Sequence, residues 1–214
     1  MTTEEQARQA IVDVCRAMYA QGYLAATDGN VSIRLGSRLL VTPTGVAKGR
    51  LAPEDLILTD LAGRVLGSGV ASSEMALHTE AYARRPDIGA VVHGHPPRAI
   101  AFTVAGRPIP GRLLPEVVVA FGGEVPTVPY TTPTTPEVPA ALGPALAGHD
   151  VVMMAWHGAV CLGPDVWDAY HKLEKLEHLC EVALLAEQLG GARMLSEAQV
   201  APLMALHRRL HPRA

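Results

Sequence analysis

The sequence predicts an α/β fold in which a sheet carries helices on both faces. Three observations support it. Short apolar runs of strand length alternate with stretches in which apolar residues recur every three or four positions. The two kinds of segment do not follow a strict strand–helix–strand order. Apolar residues make up 49% of the 214-residue chain, enough for a full core, and no linker-like stretch divides it. Residues 1–214 are therefore expected to form one domain.

Thr2 or Thr3, followed three residues later by Glu5 or Gln6, resembles a capping box. Ala7, Ala10, Ile11, Val14, Ala17 and Met18 then recur at helical spacing, and the helix stops near Gly22. Thr27-Asp28-Gly29-Asn30 is a turn by composition. Residues 31–35 and 39–41 predict a hairpin across Gly36-Ser37, and 56–59 with 64–66 predict another pair. Ser72 and Ser73 are good N-caps for a helix reaching about Arg85. Residues 89–92 read as a buried strand that Pro96 ends, and Pro97 opens a helix to Val104. Residues 108–139, rich in Pro, Gly and Thr, predict loop and short strand. A helix over 138–147 and strands over 151–155 and 159–162 follow. Asp165 caps a long helix ending at Leu189, and Ser196 with Glu197 starts a last helix to about Leu210.

Composition narrows the function. Charged residues are 18% of the chain and the net charge is −3, which gives no reason to expect nucleic acid or an anionic membrane as partner. Aromatics, at 4%, are too scarce for base-stacking platforms. Cys15, Cys161 and Cys180 are odd in number and far apart, so they read as core residues rather than a disulfide framework. The first nine residues lack an apolar signal core, and no run approaches the ~20 apolar residues of a membrane helix. A soluble, cytoplasmic protein is expected.

The chemistry centres on His93-Gly94-His95. Residues two apart on a strand share a face, so both imidazoles look into one site at the strand's end. Two fixed imidazoles are half of a divalent metal site, and Gly94 leaves room for something to come close. His157, which follows the apolar run 151–155, is the candidate third ligand. Gly29, Asn30, Thr44, Gly45, Ser72 and Ser73 could together hold a phosphate without a lysine-rich patch. The glycines allow close backbone approach, and a helix start with hydroxyls suits an anion. Glu74, in that first helical turn, reads as a general base kept ionised beside the metal. His78 lies one turn on, placed to support it. His171 and His178 read as packing or surface residues, and His149, His207 and His211 as loop or tail positions. Lys48 carries no assigned role.

The ordered clusters TDGNVSIR, VTPTG, SSE, VVHGHP and WHGAVCLG resemble the class II aldolase/adducin family, nearest its L-fuculose-phosphate aldolase group, over roughly residues 4–188. The resemblance implies a mostly antiparallel central sheet between helix layers. It also implies a cyclic homotetramer with sites between subunits. His93, His95 and His157 would hold one divalent metal per subunit, zinc first, with manganese or cobalt as alternatives. Glu74 would be the catalytic acid/base, and the six residues above would bind the phosphate of a small phosphorylated sugar. The implied reaction is cleavage of a ketose 1-phosphate to dihydroxyacetone phosphate and an aldehyde through a metal-stabilised enediolate. Related ribulose-phosphate epimerases carry aspartate where this chain has Glu74, which points to the aldolase side. One position departs from the pattern. Counting back from Gly122-Gly123, Glu116 stands where the aldolases have the tyrosine that protonates the aldehyde oxygen. Glu116 is therefore a second catalytic candidate, and decarboxylation or dehydration at the same three-histidine site is the alternative reaction.

Overall fold

Three of the helices begin at a side-chain cap that the sequence offers. The computed structural model describes residues 3–211, so Thr2 of the predicted cap lies outside the described residues. Helix α1 (Glu4–Ala20) is closed by a reciprocal capping box between Thr3 and Gln6. Strands β1 (Asn30–Leu35) and β2 (Arg38–Val41) form the expected hairpin, with Ser32 opposite Val41. Strand β3 (Ile57–Asp60) pairs antiparallel with β2. Its predicted partner over 64–66 is no strand. Val65 makes a single bridge to Thr59 and Leu66 one bond to Leu58, before a turn with Gly67 and Gly69 at positive φ.

Helix α2 (Met75–Arg84) has Glu74 at its N-cap, which corrects the expectation that the serines cap it. Ser72 instead accepts from the Glu74 N–H (3.2 Å). Strand β4 (Ala90–Gly94) is buried along its whole length, and α3 (Pro97–Val104) follows with the predicted bounds. Within the segment expected to be loop, Pro115–Phe121 forms helix α4. Pro115 suits its first turn, and burial of Val117, Val118 and Phe121 overrides the modest helix propensity of the valine run. Strand β5 (Thr127–Val128), α5 (Glu137–Gly148), β6 (Val151–Met154), β7 (Gly158–Gly163) and α6 (Val166–Gln188) complete the sheet and its cover. Asp165 caps α6, and a Ser196–Gln199 capping box opens α7 (Glu197–Leu210). His207, expected in loop or tail, is buried on α7 with Nδ1 2.9 Å from the Val119 carbonyl.

Among the described residues seven strands run in the order β3-β2-β1-β4-β7-β6-β5, and β5–β6 is the one parallel pairing. Helices α1, α3 and α6 cover one face through Ile11, Met18, Phe102 and Leu173. Helices α2 and α5 cover the other through Leu77, Ala81, Leu142 and Leu146. Strand β4 divides its side chains between them, Ala90 and Val92 to the first core and Val91 to the second. Each buried valine contributes roughly 1.5–3 kcal/mol, so β4 is a rigid base for whatever its end presents. Among the described residues the three cysteines are buried and free, and no helix is long and apolar enough to cross a membrane.

Candidate metal centre

Strand geometry delivers the first histidine pair. Val91 faces α2 and α5, and His93, two residues on, faces the same way. His95 follows at the strand's end. The gap that Gly94 leaves is filled from the opposite face, because a Cβ there would lie 2.8 Å from both the Leu173 Cδ2 and the Met18 Cε. Strand β7 lies beside β4 with Ala159 opposite Gly94, which brings His157, in the β6–β7 turn, to the same end. In that turn Trp156 adopts a left-handed conformation (φ 58°) and donates its N–H to Thr103 Oγ1 (3.0 Å). Gly158 is required for the approach. A Cβ there would stand 2.5 Å from the Gly94 carbonyl oxygen, 2.8 Å from His95 Cδ2 and 3.1 Å from His93 Cε1.

The three rings converge, with centroids 4.9–5.0 Å apart and one nitrogen from each within 4.8 Å of the others. His93 Nδ1 lies 2.9 Å from the Ala159 carbonyl oxygen, so Nδ1 carries a proton and Nε2 is the atom turned toward the cluster. That Nε2 stands 3.1 Å from His95 Nε2. Nitrogens sharing a tetrahedral zinc, with bonds of about 2.0–2.1 Å, stand ~3.3 Å apart. The donor set fits a small divalent cation.

Glu74 closes the fourth side. Its Oε2 is 3.4 Å from His93 Nε2 and its Oε1 3.4 Å from His157 Nε2. Oε2 accepts from Asn30 Nδ2 (2.7 Å), whereas Oε1 is buried with no hydrogen-bond partner among the described residues. Burial alone would raise the Glu74 pKa. The charge and hydrogen bond of His93, then His157 and Asn30, bring it well below the usual carboxylate range. Burial and then His93 and His157 push His95 down to about 3, and burial with His93 lowers His157. Both shifts favour the neutral imidazole, the form that binds metal. Burial works against charge on His93 as well, but Glu74 outweighs it and raises that pKa.

The anion-binding candidates gather beside this cluster. Asn30 is directly opposite His93 across β1 and β4. Gly29 has φ +70°, and a Cβ there would meet the Leu24 side chain and lie 3.0 Å from the His93 carbonyl oxygen. A bridge between Pro43 and Ala71, with Ser72 N–H to Thr42 (3.1 Å) and Thr44 N–H to Val70 (3.2 Å), joins the Thr44-Gly45 loop to the serines. Thr44, Gly45 and Ser73 are exposed there, while Asn30 and Ser72 are buried. Sequence reasoning missed Lys48. It is buried, and its Nζ donates to the Thr27 and Val46 carbonyls (both 2.8 Å), tying together the two loops that carry Gly29 and Gly45. His78 touches Asn30 (Nε2–Oδ1 2.6 Å) rather than Glu74 itself. Glu116 is the outlier. It is exposed on α4, beside a cavity of about 580 Å³ lined by Asp168, His171 and Lys175, among whose lining residues is none of the three histidines. The fold does not bring it to the cluster of its own chain.

Residues 9–184 match the family described as Class II Aldolase and Adducin N-terminal domain. The chain is 32% identical to a 5-methylthioribulose-1-phosphate/5-deoxyribulose-1-phosphate aldolase of Rhodospirillum rubrum, covering 94% of this chain and 88% of that one. It is also 32% identical to a 3-oxo-tetronate 4-phosphate decarboxylase of Haemophilus influenzae, covering 94% and 97%. The crystal structure of L-fuculose-1-phosphate aldolase from Thermus thermophilus superposes with a TM-score of 0.76 at 33% identity, covering 88% of this chain and 98% of that one.

Proposed function

The chain belongs to the class II aldolase and adducin N-terminal domain family, and from that premise we propose that it is a metal-dependent lyase cleaving a ketose 1-phosphate. The products are dihydroxyacetone phosphate and an aldehyde. The observation that carries this reading is the convergence of three imidazole nitrogens beside a buried carboxylate oxygen that accepts no hydrogen bond among the described residues.

His93, His95 and His157 would hold the cation. Three neutral ligands leave it its full charge and open positions, which suits zinc first, with manganese or cobalt as alternatives. When bound, it supplies a Lewis acid that draws electron density from the substrate's carbonyl and hydroxyl oxygens. The rest of the work falls to the chain. Glu74 Oε1, ionised and unpaired, takes a proton from the carbon of dihydroxyacetone phosphate in the condensation direction and returns it on cleavage. Asn30 holds the other oxygen still. Gly29, Thr44, Gly45, Ser72 and Ser73 would anchor the phosphate, fixing the reacting carbon against Glu74. Lys48 holds the two loops of that pocket together from beneath. Glu116, remote within one chain, would act on the site of a neighbouring subunit in a homotetramer.

A second reading, decarboxylation of a phosphorylated sugar acid, is favoured by one feature: Glu116 in the place of the family's tyrosine removes the expected donor to the aldehyde oxygen. The test is turnover by metal-loaded protein of a panel holding L-fuculose 1-phosphate, 5-deoxyribulose 1-phosphate, 5-methylthioribulose 1-phosphate and 3-oxo-tetronate 4-phosphate. Release of dihydroxyacetone phosphate, abolished by a chelator and restored by zinc, supports the aldolase. Carbon dioxide release from the sugar acid alone overturns it in favour of the decarboxylase. Inactivity across the panel rejects both.

A further inference from the structure

Glu74 ends a chain of hydrogen bonds that starts in the core. Tyr82 Oη is 3.0 Å from Ser32 Oγ, and Ser32 Oγ is 2.7 Å from His78 Nδ1. His78 Nε2 is 2.6 Å from Asn30 Oδ1, and Asn30 Nδ2 is 2.7 Å from Glu74 Oε2. Ser32, His78 and Asn30 are at most 2% exposed and Tyr82 is 5% exposed, so water does not replace these bonds.

The direction of every bond follows from the Glu74 end. An ionised carboxylate only accepts, so Asn30 turns its NH₂ toward it. The Asn30 carbonyl then faces His78, which must donate from Nε2. A neutral ring with its proton on Nε2 accepts at Nδ1, so the Ser32 hydroxyl donates there. Ser32 Oγ in turn accepts from Tyr82, whose hydroxyl also lies 3.2 Å from the Ser32 carbonyl oxygen. Turning over the Asn30 amide would set two acceptors face to face and leave His78 without its acceptor. In a buried site each such mismatch costs roughly 1–3 kcal/mol.

We propose that His78 is a positioning residue for the reaction. Held as its Nε2–H tautomer by Ser32 and Tyr82, it locks the Asn30 carboxamide. The lock pins Oε2 of Glu74 and leaves Oε1 as the oxygen that moves the proton. Asn30 thereby serves the carboxylate through one of its two Nδ2 hydrogens. The proposal rests on Glu74 being the acid/base.

Two measurements test it, and one needs no turnover. In metal-free protein labelled with ¹⁵N-histidine, a long-range ¹⁵N–¹H correlation reads the His78 tautomer, assigned by its loss in His78→Gln. The expected result is a proton on Nε2 and a bare Nδ1, shifting toward a tautomer mixture in Ser32→Ala. A proton on Nδ1 in the wild type overturns the network. In the metal-loaded enzyme, His78→Leu should lower kcat roughly 10–100-fold, the usual range for a group that orients a reacting or ligating one, with KM and metal content unchanged. His78→Gln can still donate to Asn30 and should recover much of that loss. An unchanged kcat in His78→Leu, or a raised KM with kcat intact, overturns the positioning role. Should His78→Leu fail to fold, Ser32→Ala carries the same kinetic test. A wild-type enzyme that turns over no phosphosugar defeats the functional reading, whereas the tautomer still decides the network.

Discussion

Strand β4 connects two buried polar clusters that are built on opposite principles. Before its first residue, Arg85 donates to both oxygens of Asp87 (2.8 and 2.7 Å) and to Asp150 Oδ1 (2.9 Å). Lys172 donates to Asp150 Oδ2 (3.0 Å) and to the Leu162 carbonyl (2.9 Å). Burial would raise the Asp150 pKa, but Lys172 and Arg85 hold it down. That end is closed, because each charge has its opposite in contact. Beyond the last residue of β4 the reverse holds. Two ring nitrogens face each other at 3.1 Å, and a third joins them. Glu74 Oε1 accepts no hydrogen bond among the described residues and meets only His157 Nε2 at 3.4 Å, whereas Asp168 Oδ2 at the other end is held by Lys172 at 2.7 Å. A closed cluster holds the fold, and an open one is arranged for a ligand. Both are buried, so burial alone would not have told them apart.

Substitutions at the two ends should therefore fail in different ways. His157→Ala should give the largest change, abolishing stoichiometric binding of a divalent cation and lowering kcat beyond the roughly 10–100-fold expected for a supporting residue. The melting temperature of the metal-free protein should scarcely move. Plasma mass spectrometry and calorimetry check both. Asp150→Ala should do the opposite. It removes one of the two carboxylates that Arg85 and Lys172 each meet, leaving Asp87 and Asp168, and should cost roughly 1–3 kcal/mol in urea unfolding while metal content stays at the wild-type level. Gly158→Ala falls between, because its methyl group enters the space of His93 and His95. It should cost roughly 1–3 kcal/mol and weaken metal binding, read by titration calorimetry.

Acid sharpens the contrast with a smaller effect. Burial, then the charge of His93, pushes His78 down to about 3. Below the ordinary histidine pKa of about 6.5 the unfolded chain binds a proton that the folded chain refuses. Stability therefore falls as pH drops from about 6.5 toward 3, by up to about 1.4 kcal/mol per pH unit. Asp150 has a lowered pKa, so its contribution is present above about 3.9 and is lost only as pH falls through its folded value. Urea midpoints of metal-free protein between pH 7 and 4.5 should decline because of the histidine end, and less steeply in His78→Gln, where His95 and His157 still contribute. A flat profile in the wild type would contradict the assignment.

Much of this was legible in the sequence, for reasons that differ by residue. The caps at Thr3, Asp165 and Ser196 are local chemistry, and they fall where composition puts them. The His93–His95 pair is a strand period read directly, and His157 was visible because it follows a second apolar run. Helix α4 was hidden because three consecutive valines favour strand, and only packing against α6 and α7 decides otherwise. Lys48 was hidden because its burial depends on two loops, at 27 and 46, that meet only in the folded chain. One-turn spacing predicts that His78 supports Glu74. That the support passes through Asn30 depends on the β1–α2 contact, which no local pattern records.

The central claim is that the three imidazoles form one cation site, and crystallography with zinc tests it most directly. Anomalous data collected across the zinc edge should give one strong peak per chain, about 2.0–2.2 Å from a ring nitrogen of each of His93, His95 and His157. A peak elsewhere, or rings turned apart with no peak between them, would contradict the account.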